Sequence, residues 1–290
     1  MNLVLARASF LKLPCHTVSL MSPRLFACLV YALMVSAPFL PASALADPLR
    51  ARYSVTLLGI PVGAAKLDGD VGPAAYRIAI DVKLAGIAAL FSSSRGAATA
   101  TGGFLKGVIQ PAAYANTSAN SKETRTVRIA MQGGDVKGVD ISPPMDPVPD
   151  RVPLTNAHTR NIVDPVSALI MAVPGTEPVV GPIACNRTLP VYDGFTRFDV
   201  TLTYAGTRSV SAKGYAGQAV VCNARYTPIA GHRDRKPVQF MADNKDIQVW
   251  LAPVGDTRIV VPFRISVATM IGTTVIEAME FGTAAVTPAP

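Results

Sequence analysis

Apolar residues recur at every second position through most of this chain from Tyr53 onward, and that spacing restricts it to strands with one buried face. The alternation is cleanest between Tyr76 and Leu84. There Tyr76, Ile78, Ile80, Val82 and Leu84 share one face, while Arg77, Asp81 and Lys83 take the other. Tyr53, Val55 and Leu57 begin the pattern in the same way, and the run Gly59-Ile60-Pro61-Val62-Gly63 interrupts it. Two glycines and a proline inside a strand pattern predict a bulge or a sharp bend.

Further strands are expected over Ala97 to Thr101, Gln110 to Ser118 and Thr124 to Met131, with a short helical turn over Ile87 to Ser92. Gly133-Gly134-Asp135 reads as a hairpin turn into Val136 to Ile141. Ser142 to Pro153 carries five prolines and is an irregular connection. A helix start follows, with Asp164 as N-cap and Pro165 at the first helical position; Ala168, Leu169 and Met171 give it an apolar side fit to cover a sheet. Beyond Pro182 the strand pattern returns at Leu189 to Val191, at Phe198 to Tyr204 after an Asp193-Gly194 turn, at Val210 to Lys213 and at Gln218 to Tyr226. After a basic loop, Gly231 to Pro237, three strands close the pattern: Ile247 to Leu251, Ile259 to Val267 and Thr273 to Phe281.

About a dozen strands joined by short turns favour antiparallel neighbours. A single sheet of that size must curl. The expected fold is therefore mainly β: a curved antiparallel sheet or open β-barrel with one or two short helices, apolar inside and with room for a cavity.

The N-terminal segment sets the compartment. Arg7, Lys12 and Arg24 precede the apolar run Leu25 to Leu40, and Ala44-Leu45-Ala46 has the form of an A-x-A cleavage site. The expected organisation is a signal peptide over 1–46 cut between Ala46 and Asp47, one β domain over 47–282, and a flexible tail over 283–290. The segment from Met21 onward is itself a complete signal, so Met21 is an alternative start. A retained anchor fits less well, because the apolar run falls short of the roughly 20 residues of a spanning helix and ends at Pro41. Leu25-Phe26-Ala27-Cys28 only loosely resembles a lipobox, since it precedes the apolar region. The mature chain is expected in the periplasm and not in the membrane. Removing 46 of 290 residues leaves 244, with 24 basic against 19 acidic residues. That mild, scattered positive charge lacks the Lys/Arg runs with aromatics that nucleic-acid binding needs.

Cys15 and Cys28 leave with the signal, so Cys185 and Cys222 are the mature thiols, and in an oxidising compartment they are expected to form one disulfide. Such a loop closure stabilises by about 3–4 kcal/mol in the chain-entropy picture. A redox-active pair would call for Cys-x-x-Cys or a helix start, which the sequence lacks around them.

Four stretches in order carry a family likeness: Leu58 to Gly63, Asp164 to Leu169, Cys185 to Gly194 and Tyr226 to His232. Together they resemble the bacterial family called domain of unknown function 3108, in the form found in alphaproteobacterial envelopes, over about Arg52 to Phe281. The resemblance implies a secreted protein with no established activity and no catalytic residues to carry over. It also implies a shape similar to the half-barrels of periplasmic lipoprotein carriers, which hold acyl chains on an apolar concave face. Fold alone does not settle function.

Tests for chemistry return little. The mature histidines are His158 and His232, and Gly-x-Ser-x-Gly is absent. A triad of His232, Asp234 and a serine is weaker than a surface reading of His232 beside Arg233 and Arg235. No metal motif is present, and no cofactor is expected. Asp146 and Asp150 sit in the proline-rich connection, where acids keep a loop wet; Asp164 reads as a cap and Asp193 as a turn residue. Trp250 faces either the core or a cavity, the core being the plainer reading. No ligand-binding residues are assigned, although Tyr76 to Leu84 and Ile259 to Val267 are candidates for a concave wall. The leading functional expectation is a non-enzymatic envelope protein that binds a lipid, a lipoprotein acyl chain or an extended peptide. A docking domain for an envelope protein or peptidoglycan comes second, and a hydrolase of envelope polymers third.

Overall fold

A computed structural model describes residues 47–84, 95–120, 122–145 and 148–283. Ala46 and the rest of the expected signal, the turn expected over Ile87 to Ser92, Asp146 and residues 284–290 of the expected tail lie outside the described residues, while Thr283, its first residue, ends the last strand.

The strands are β1 (Asp47–Leu57), β2 (Ile60–Val71), β3 (Ala75–Leu84), β4 (Arg95–Leu105), β5 (Val108–Ala119), β6 (Thr124–Gln132), β7 (Asp135–Ser142), β8 (Met171–Ala172), β9 (Arg187–Tyr192), β10 (Arg197–Ala212), β11 (Tyr215–Ala230), β12 (Ile247–Pro253), β13 (Ile259–Thr269) and β14 (Gly272–Thr283). They form one sheet in the order β7-β6-β5-β4-β3-β2-β1-β14-β13-β12-β11-β10-β9, with β8 on β13. All its strand pairs are antiparallel. The first and last strands meet at its centre, where β1 pairs with β14, so the chain builds one wing outward to β7 and the other inward from β9. The two α-helices among the described residues are short: α1 (Pro182–Cys185) and α2 (Lys236–Asp243).

Local chemistry explains the turns and the departures from the sequence reading. Leu58 and Gly59 both have positive φ, 52° and 80°, which makes a tight hairpin rather than a bend within one strand. The glycine-proline run is the start of β2 and carries the expected irregularity, a register shift where Val55 and Thr56 face Gly63 and Pro61. The helix expected after Asp164 shrinks to one 3-10 turn, Ser167–Leu169, because Met171 and Ala172 are drawn into pairing with Val260 and Ile259 of β13. The Gly231 to Pro237 loop runs into α2, with Pro237 in its first turn where a missing N–H costs nothing.

The connection between β7 and β9 fills one half of the curled sheet. Ile162, Val166 and Ile170 pack in one cluster with Leu49, Ala51, Leu67, Tyr76, Ile78, Tyr114, Val127 and Ile129 from β1 to β6. The same segment ties the sheet's two ends together: Ile162 N donates to Gly134 O at the β6–β7 turn (2.8 Å), and Val163 N to Pro190 O on β9 (2.8 Å). The β9–β10 turn closes on β6 so tightly that a Cβ on Gly194, φ +100°, would lie 2.5 Å from Val127 Cγ1. Across the sheet, the 16-residue strands β10 and β11 form a long hairpin with a register shift at Tyr204/Gly206. Its tip returns to β14: Lys213 N donates to Met279 O (3.1 Å), Phe281 N donates to Lys213 O (2.9 Å), and Tyr215, Phe263 and Phe281 pack pairwise at tilted or edge-on angles with centroids 5.4–6.1 Å apart.

Ile78 is fully buried where the connection meets the wall. Ile78→Ala is expected to lower unfolding free energy by about 2–4 kcal/mol in urea titration, the cost of lost burial plus a cavity. A loss under about 1 kcal/mol would mean that the connection does not pack there.

Candidate functional site

Register assigns the faces. Leu84, Gly63, Val55, Ile276, Ile265 and Val249 are successive cross-strand partners from β3 to β12, so their side chains lie on one face of the sheet. It is the face that buries Leu49, Ala51 and Tyr53 further along β1, since side chains two apart share a side. Toward the β1–β2 hairpin the filling stops. Tyr76 and Ile78 are buried, whereas Ile80 and Leu84 are half-buried and Val82 is 40% exposed. On β13, Ile259 to Phe263 are buried while Ile265 and Val267 are half-buried. Each stretch is therefore split, one half core and the other a half-buried apolar band. In that band Ile80 and Ile276 still touch the main core, Ile265 and Val267 pack against a separate cluster with Ile247 and Val249, and Val82 is exposed.

The band ends on an apolar rim. Leu58 (67% exposed), Ile60 (53%), Met270 (56%) and Ile271 (73%) sit on the adjacent β1–β2 and β13–β14 hairpins. Leu58 N donates to Thr273 O (2.9 Å), and a Cβ on Gly272, φ +124°, would lie 2.5 Å from Leu58 Cδ2. Leu58 holds a left-handed backbone at a turn position that favours Asn, Asp or Gly. A bulky side chain there gains no burial for the strain it carries.

A polar cluster lies inside the filled half. Asp164 is fully buried: Oδ1 accepts from Val166 N (3.0 Å) and Ser167 N (2.9 Å), while Oδ2 has no partner among the described residues. Ser167 Oγ lies 2.7 Å from Tyr76 Oη. Burial pushes the Asp164 carboxyl above the ordinary carboxylate range, against the hydrogen bonds that favour its charged form. Burial likewise holds the Tyr76 and Tyr114 phenols above the usual tyrosine range, with the Asp164 charge adding to both.

The structure does not gather the other sequence candidates into a site. His232 Nδ1 is buried without a partner among the described residues, and Asp234 accepts from Gln239 Nε2 (2.8 Å), not from His232. His158 Nδ1 accepts from Thr155 N (3.2 Å). Asp150 pairs with Arg233 (2.6 Å), whose hydrogen bond holds that exposed carboxyl below its usual range. Asp193 closes its turn by accepting from Phe195 N and Thr196 N (2.8 and 2.7 Å). Trp250 is half-buried against the core, with the Arg264 guanidinium 5.1 Å from its ring centre and Arg264 paired to Glu277. Cys185 and Cys222 are joined by a disulfide, Cα to Cα 5.5 Å, which pins α1 to β11 over a second apolar cluster. Among the described residues no three His, Cys, Asp or Glu side chains gather as metal ligands.

What sequence reading missed is basic. Lys106, Arg187 and Arg258 line two adjoining clefts, and none forms an ion pair among the described residues. The one available signal was the Leu105-Lys106-Gly107-Val108 tip, a hairpin turn flanked by apolar residues.

Strand order and bonding define an open, β-barrel-like domain of a single antiparallel sheet. The family described as "Protein of unknown function (DUF3108)" matches residues 52–279, and the chain belongs to that family. No curated protein matches. One solved structure, a "Beta-barrel-like Protein of Domain of Unknown Function DUF1849 from Brucella abortus", is similar at 10% identity over 83% of this chain and 99% of that chain, with a TM-score of 0.47. No helix among the described residues is long and apolar enough to cross a membrane, which leaves membrane-crossing strands unaddressed.

The raised pKa of Asp164 carries a pH dependence. The unfolded chain releases this proton first, near pH 3.9, so the native state holds more protons above that point and stability falls as pH rises, until native Asp164 has ionised as well. Asp150, held low by Arg233, acts in the opposite direction, so the comparison is with Asp164→Asn. The variant is expected to lose less stability than the parent as pH rises from about 4, in denaturant titrations. Parallel curves would remove Asp164 as the source.

Proposed function

We propose that the chain is exported, with 1–46 as a cleaved signal and 47–282 as one β domain, and that it works in the periplasm as a non-enzymatic carrier of an acyl chain or similarly extended apolar ligand. The observation that carries this reading is the half-buried apolar row from Leu84 through Val55 to Ile276, with Val82 exposed beside it, continuous with the exposed rim of Leu58, Ile60, Met270 and Ile271. Contiguous exposed apolar surface on a folded domain marks a binding site or an interface. The disulfide supports an oxidising compartment. A second reading, docking on another envelope protein through the rim, is favoured by one observation: the connection occupies half the interior, which limits the room for an enclosed ligand.

Native mass spectrometry of protein purified gently from a periplasm, followed by organic extraction, tests the first reading. A stoichiometric lipid is expected, and Val82→Asp, which places a charge on the band at an already exposed position, is expected to reduce its occupancy at least about tenfold. A clean apo mass, with no binding of acyl probes, would overturn the carrier reading and favour docking.

A further inference from the structure

Away from the band, the opposite end of the sheet holds a feature that the carrier reading leaves unused. The β4–β5 hairpin tip, Lys106-Gly107, stands between two clefts that share Lys106, Gly107, Ala172 and Pro174 in their walls. The first, about 510 Å³, is walled by Val71, Pro73, Phe104, Val173 and Ile259, with Lys106 and Arg258 as its charged residues. The second, about 450 Å³, is walled by Ile109, Ile162, Ile170 and Leu189, with Lys106 and Arg187. Both volumes suit a small ligand. Neither lining includes an Asp or Glu among the described residues.

The two arginines are held in place from below. Arg258 donates through Nε to Val173 O (3.0 Å) and through Nη2 to Pro174 O (3.1 Å) and Glu177 O (2.9 Å), while Nη1 takes no partner among the described residues. Arg187 donates through Nη1 to Ala172 O (2.9 Å) and through Nη2 to Ile183 O (3.2 Å), and its buried Nε is unpartnered. Backbone carbonyls orient a guanidinium without cancelling its charge. Each positive charge is thereby fixed at the edge of an apolar cleft, and a partly desolvated cation without a counter-ion gains more from an arriving anion than a solvated one does. Lys106 is exposed at the tip between them, beside Leu105 (62% exposed) and Val108 (60%).

We infer that the first of these clefts binds an anionic amphiphile, its carboxylate or phosphate head held by Lys106 with Arg258, and its apolar tail laid along the Phe104 and Val173 wall. Headgroup and tail chemistry are both present within one cleft, and the site is independent of the band above the connection.

The test is isothermal titration of the mature protein with laurate, with dodecyl phosphate and with the uncharged dodecyl maltoside, each below its micelle concentration. Saturable binding of at least one anion is expected, at least about tenfold tighter than the maltoside. Lys106→Glu alters an exposed side chain that makes no hydrogen bond among the described residues, so the fold is retained; it is expected to weaken anion binding at least about tenfold. Lys83→Glu makes the same charge change on exposed β3 surface and is expected to bind as the parent does. Val82→Asp is likewise expected to leave this site intact, which separates its failure from that of the carrier reading. Tighter laurate assigns a carboxylate head, and tighter dodecyl phosphate assigns a phosphate. Absence of saturable anion binding, equal affinity for the maltoside, or equal loss in Lys83→Glu would each overturn the inference.

Discussion

Burial of the β7–β9 connection against the inner face of the sheet is the constraint on which the remaining structure depends. A sheet this wide has too much apolar surface on one side to stand uncovered. Here Ile162, Val166 and Ile170 supply the missing layer in place of a second sheet. The chain that enters must satisfy its own backbone, and Asp164 does this by accepting the amides of Val166 and Ser167. Ser167 is in turn matched to Tyr76, so the filler is registered to the wall by a polar contact as well as by packing.

Curvature and closure follow. The two ends of the sheet do not pair with each other; they meet through residues of the connection, which bond to the β6–β7 turn on one side and to β9 on the other. On the other wing the long β10–β11 hairpin folds back to β14, where three aromatic rings fill the gap. Strand edges that would otherwise stand open are thereby shortened or covered. The disulfide holds α1 on β11 in that same wing.

The connection is too short to line the whole inner face, and this gives the two ends of the domain different characters. Above it the row from Leu84 to Ile276 is apolar and half-buried, and it leads to an apolar rim. Below it, the chain leaving the filler turns through Ala172 to Glu177, and its carbonyls anchor Arg187 and Arg258. One end offers apolar contact alone, while the other combines apolar walls with uncompensated positive charge.

Period-two alternation by itself determined the β class and the faces of strands such as Tyr76 to Leu84, because side-chain direction in a strand follows from position, and the short turns between the runs determined the antiparallel order. The local hydrogen bonds of Asp164 and Asp193 were equally legible, since both accept amides two and three residues on, although the turn after Asp164 begins only at Ser167. Local signals failed where distant contacts outweighed them. β2 was hidden behind its glycines and proline, and the helix after Asp164 was cut short by pairing of Met171 and Ala172 with β13. Only the tertiary structure decided which half of each wall is core and which is open, and which cations share a cleft. Those outcomes depend on where one buried connection ends and on residues 80 or more positions apart, such as Lys106 and Arg187, converging at one end of a curled sheet. No spacing along the chain encodes that distance.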